Sequence, residues 1–140
     1  MMTNQNVKNY LWGYQRACDS CKDLQDDHEE LWTRATAMTK MISDMPKGST
    51  YAGFQEIMDE INEAGKELTK AIRFQAEKKI EIKALIESIE DYRIERVLTE
   101  LYIKGKVRKE VAKIIGYDVR HVDRLHLCGI DILKDVLNCP

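Results

Sequence analysis

From Tyr10 onward, steps of four and three residues alternate along one seam: Tyr10, Tyr14, Ala17, Cys21, Leu24, His28, Leu31, Ala35, Met38 and Ile42. That rhythm is a coiled-coil face and predicts one long helix. Residues 44–53 then gather Pro46, Gly48, Ser49, Thr50 and Gly53 without apolar periodicity, a natural turning point. Beyond it Ile57, Ile61, Ala64, Leu68, Ala71, Gln75, Ile82, Ile86 and Ile89 resume the rhythm, interrupted near Lys78 and Lys79. Two helical arms, each roughly 50 to 60 Å long at about 1.5 Å per residue, are expected to fold back on one another. Alanines at 17, 35, 64 and 71 make the seam thin, so a homodimer or higher oligomer formed through the arm is expected.

The last third has a different character. Residues 93–140 hold ten Lys and Arg against seven Asp and Glu, a net of +3, whereas residues 1–92 hold twelve against seventeen, a net of −5. The overall −2 therefore conceals a basic end. Within it, Arg108 to Ile115 is a short amphipathic segment with Val111, Ala112 and Ile115 on one face. Gly116 stands where a helix stops on a left-handed residue, and Asp118 is suited to cap the next. The second helix, from about Val119 to Leu133, should turn Val122, Leu125, Gly129 and Ile132 toward the first. A segment from about Asp91 to Ile103 should pack Leu98, Leu101 and Tyr102 beneath the pair.

Two helices joined by about three residues with a glycine in the turn form a helix-turn-helix. Its outward face would carry Val119, Arg120, Asp123, Arg124 and Leu127, the positions that reach base edges in the major groove. Arg120 and Arg124 suit guanine, because a guanidinium pairs bidentately with O6 and N7. Lys104, Lys106, Arg108 and Lys109, with His121, suit phosphate contacts, which position a protein without reading sequence. Helix, glycine, helix is also a shape that often binds nothing; the basic balance of this region is what favours double-stranded DNA as the partner. A net of +3 predicts weak non-specific affinity, so tight binding would need a dimer or a protein partner.

These residues carry a resemblance. Lys104-Gly105-Lys106, Glu110-Val111-Ala112, Gly116-Tyr117-Asp118, and Val122 with Arg124, Leu125 and His126 look like the region 4 helix-turn-helix of sigma-70 factors. The form is that of small phage and prophage regulators related to the ArpU-type late transcription regulators. Asn9-Tyr10-Leu11 and Asp44-Met45-Pro46-Lys47-Gly48 are similar to an uncharacterised phage-associated family that precedes such a motif with a long helical region. The resemblance implies a protein of the bacterial host cytoplasm that acts on transcription, with RNA polymerase as a candidate partner. Val119 and Asp123 depart from the polar or basic residues usual at reader positions, so no base preference carries over.

The expected fold class is therefore all-α: a long antiparallel, coiled-coil-like hairpin (1–92, turning at about 44–53) followed by a sigma region 4-like helix-turn-helix (93–140). No apolar run is long enough for a membrane span, and Met1 to Val7 lacks a signal sequence's apolar core, which points to the cytoplasm. Cys18 and Cys21 form a C-x-x-C inside a helical pattern without a second pair, and Cys128 and Cys139 are single, so no metal and no cofactor is expected. The expected state of all four is a reduced thiol. His28 on the seam should point its ring to solvent. His121 and His126 flank the reader as phosphate contacts or as ordinary surface residues. No glycine-rich phosphate loop, H-E-x-x-H or paired nucleophile and base supports catalysis, so no catalytic residue is assigned and the chain is not expected to be an enzyme.

Three functions fit. The first is a sequence-specific DNA-binding transcription regulator of phage or prophage type. The second is a phage DNA-packaging recognition subunit resembling a small terminase, which would form a ring. The third is a coiled-coil adaptor whose basic end binds RNA polymerase or another protein and barely touches DNA.

Overall fold

A computed structural model describes residues 2–44 and 53–139, and among them the chain is helical without a strand. The expected turning residues Pro46, Gly48, Ser49 and Thr50 lie outside the described residues. The helices are α1 (Asn4–Leu11), α2 (Gly13–Ser43), α3 (Phe54–Glu87), α4 (Tyr92–Leu98), α5 (Arg108–Ile115) and α6 (Val119–Asn138). A π-helical turn, Thr99–Ile103, continues directly from α4. None of the described helices is long and apolar enough to cross a membrane. Where the seam predicts one helix running from Tyr10, Trp12 stands between α1 and α2, although its carbonyl still accepts from the Arg16 amide at 3.0 Å.

The chain divides into two compact units, residues 18–74 and residues 1–17 with 75–140. This cuts the chain differently from the compositional division at 92/93, because apolar packing rather than charge groups α1 and the end of α3 with the later helices.

In the unit 18–74 the seams meet. Ala35, Ile57 and Ile61 are buried together, and Leu31, Met38, Phe54 and Met58 pack around them. Partners on α3 fall in number as those on α2 rise, down to His28, whose Nε2 would lie 3.6 Å from a Cβ built on Gly65. His28 on the seam is expected either to set register or, as the favoured reading, to point its ring to solvent. Instead it is half-buried, edge-on to Trp32 at 6.4 Å between ring centroids. The cluster is narrow, since alanine supplies one of its three buried members.

The unit of residues 1–17 and 75–140 has the larger core. Val7 and Leu11 of α1, Val97 and Leu98 of α4, Val111 of α5 and Val122, Ile130 and Leu133 of α6 are fully enclosed. Each such aliphatic side chain stabilises the fold by about 1.5–3 kcal/mol. Local chemistry fixes where the helices begin. Thr3 accepts from the Asn6 amide, Asp91 from those of Arg93 and Ile94, and Asp118 from that of His121. Gly116 ends α5 at φ 83°, where a side chain would strain the backbone, and both its amide and that of Tyr117 reach the Ala112 carbonyl.

One packing expectation is corrected. Ile132 is exposed, and Ile130 and Leu133 are buried in its place. The reason is that α6 is covered on more than one side: α5, α4 and α1 all pack against it, and its burial stripe turns as the neighbours change. Gly129 lies at the closest approach, where an added Cβ would come within 2.8 Å of Leu98 Cδ1 and 2.9 Å of Ile94 Cγ2. α6 also runs past Leu133 to Asn138, whose Oδ1 accepts from the Met2 amide at 2.9 Å.

Candidate nucleic-acid interface

α5 and α6 are joined by Gly116, Tyr117 and Asp118, and each hides one face: Val111 and Ala112 on α5, Val122 and Leu125 on α6. With those faces used for packing, the first turns of α6 present Val119, Arg120, Arg124 and Leu127 to solvent. Asp123 is half-buried and accepts from Arg108 Nη1 at 2.9 Å. The two are thus occupied with one another, and either would have to leave the other to meet DNA. Arg124 Nη2 stands 3.5 Å from His121 Nδ1, and the His121 ring meets Tyr117 edge-on at 4.4 Å between centroids.

The expected phosphate anchors fall into two groups. Lys104 Nζ is 2.9 Å from Glu100 Oε1 and Lys106 Nζ is 3.3 Å from Glu100 Oε2. Glu100 is only 3% exposed, on the π-helical turn. Burial alone would raise its pKa, but hydrogen bonds and charge attraction from both lysines outweigh that and hold the carboxyl below its ordinary value. Much of the positive charge of Lys104 and Lys106 is therefore compensated within the chain. Lys109, by contrast, is exposed.

Sequence reasoning missed several participants. Lys113, one turn beyond Lys109 and equally exposed, lines with it a shallow groove beside Tyr117 and Val119. The i,i+4 spacing of Lys109 and Lys113 was the available signal. Gln15 was also missed: its Nε2 donates to the carbonyls of Tyr102 and Ile103 at 3.1 and 3.0 Å. It thereby satisfies carbonyl groups at the end of the π-helical turn, where regular helical pairing is lost.

His126, expected near phosphate or at an ordinary surface position, has a structural role instead. Its Nε2 is 2.6 Å from the Tyr102 hydroxyl. Burial pushes the Tyr102 hydroxyl up to about 12, so it stays protonated. Burial first, then the positive charge of Lys8 and Arg108 against the opposing pull of Asp123, lowers His126 to about 4. The ring is neutral at pH 7.

Among the described residues no three His, Cys, Asp or Glu side chains converge as metal ligands would. Cys18 is half-buried, Cys21 buried, and Cys128 and Cys139 exposed, and none is in a disulfide among the described residues. Compared with models of known protein families, with curated proteins and with solved structures, the chain matches none.

Proposed function

We propose that the chain is a sequence-specific DNA-binding transcription regulator of phage or prophage type, with a helix-turn-helix formed by α5 and α6 following an antiparallel helical hairpin. The observation that carries this reading is the division of labour on α6. Its rear face is committed to the core, while Arg120 and Arg124 are exposed at its N-terminal turns. That is the geometry a reader helix needs: a rigid backing, and long donors near the end that enters the groove. Lys109 and Lys113 flank the turn as phosphate anchors, and the thin seam of the hairpin supports a homodimer that doubles the grip of a weakly basic module on DNA.

Binding of fluorescent duplexes at rising salt, followed by anisotropy, tests the assignment. Replacing Lys109 and Lys113 with alanine should weaken all duplexes alike and reduce the salt slope by about 0.9 for each phosphate no longer neutralised. Replacing Arg120 and Arg124 should instead cost about 1–3 kcal/mol of discrimination for each base no longer read. If both pairs behave identically, the separation of reader and anchor is wrong.

A further inference from the structure

A hollow beside α6 is not accounted for by DNA reading. It encloses about 660 Å³ between α1, the segment 101–108 and the near side of α6. That volume lies in the range of about 300–1,000 Å³ typical of small-molecule sites. Large apolar side chains surround it without closing it: Trp12 is 38% exposed, Leu127 47% and Val107 59%. The Trp12 ring meets the fully buried Tyr102 edge-on at 4.7 Å between centroids, which holds the indole in place as one wall.

Charge around the hollow is unbalanced. Lys8, Lys106 and Arg108 line it against one carboxylate, Asp123. Lys106 is shared with Glu100 and Arg108 with Asp123, but Lys8 has no ion pair among the described residues. The field of Lys8 and Arg108 reaches the far wall, where both disfavour a proton on His126.

We propose that this hollow binds a small aromatic anion, with its ring against Trp12 and Leu127 and its negative group beside Lys8 and Arg108. Offset or edge-on ring packing and a charge-assisted hydrogen bond at the rim are what the walls supply. Occupancy also has a consequence that rests on the proposed DNA reading. The ligand would touch Arg108, Asp123 and Leu127, so it and DNA would share residues and each would change the other's affinity by the same factor.

The test uses the full chain carrying Trp32→Phe, which leaves Trp12 as its only tryptophan. The probes are 8-anilinonaphthalene-1-sulfonate, an aromatic anion, and N-phenyl-1-naphthylamine, its uncharged counterpart. The sulfonate should quench Trp12 saturably at one per chain and bind more tightly than the neutral amine. Lys8→Glu should weaken the sulfonate about tenfold and leave the amine within about twofold, as reversal of a rim charge requires. Asp123→Asn should tighten the sulfonate several-fold by freeing Arg108. Absence of a saturable Trp12 signal, or equal binding of the two probes with no response to either variant, overturns the site. Adding duplex DNA should weaken sulfonate binding. A duplex that binds without affecting the probe overturns the coupling. If no duplex binds at all, the DNA reading fails while the probe titration still decides the site.

Discussion

Acidification from pH 7 to 4.5 is a direct test of the burial of a neutral His126 ring. The folded chain holds His126 at about 4, whereas an unfolded chain would protonate it near 6.5. Between those values the unfolded state binds more protons, so stability must fall as the pH drops through this window and be nearly flat above it. At about 1.4 kcal/mol per pH unit the full window gives an upper limit of about 3.5 kcal/mol. The ring is only partly buried, and solvent screening reduces that to about 1–2 kcal/mol. Urea unfolding followed by circular dichroism at pH 7.5, 6.5, 5.5 and 4.5 measures it, with His126→Gln as the comparison. The glutamine carbonyl can still accept from the Tyr102 hydroxyl but does not titrate. The parent chain should lose about 1–2 kcal/mol more than the variant between pH 7.5 and 4.5. Parallel pH profiles would refute the reasoning, since burial and the nearby positive charge would then exert no preference for the neutral ring. Glu100 does not confuse the window: its carboxyl is held below 4.5, so its contribution is lost only as the pH falls through that lower value.

Two further substitutions probe the packing and the charge balance. Gly129→Ala gains about 1 kcal/mol of helix propensity but forces apart Leu98 and Ile94, which overpacking makes cost about 1–3 kcal/mol, so a net loss of up to about 2 kcal/mol is expected in urea melts. A more stable variant would show that the close approach of α4 and α6 yields easily. Glu100→Gln should cost about 1–2 kcal/mol by removing a charge-assisted hydrogen bond, and should release Lys104 and Lys106 for phosphate, so that duplex affinity rises and its salt dependence steepens. Unchanged DNA binding in a folded variant would remove both lysines from the interface.

Much of the local structure was legible because the causes are local. The step of four and three along the arms placed Ala35, Ile57 and Ile61 on the seams, and these three are buried together. Gly116 and Asp118 announced the end of one helix and the start of the next by their own conformational and capping chemistry. What could not be read depends on residues far apart in sequence. Two apolar side chains, Val7 and Leu11, gave no hint that α1 would pack against α6, more than 100 residues away. That packing, with α4 at Gly129, is why Ile130 and Leu133 displaced Ile132 from the core. The burial of Glu100 was equally hidden, since a glutamate amid lysines reads as a solvated charge until the π-helical turn brings it inward between Lys104 and Lys106. The same pairing reduces the supply of free cations that composition promised at the interface.

The central claim is that α6 reads DNA through Arg120 and Arg124. Selection from a random duplex pool with the purified chain, sequenced alongside the same selection with Arg120→Ala/Arg124→Ala, tests it most directly. The account predicts an enriched motif that disappears in the variant, and a palindromic one if the hairpin pairs two chains symmetrically. No enrichment from the parent chain, or the same motif from both proteins, would contradict it.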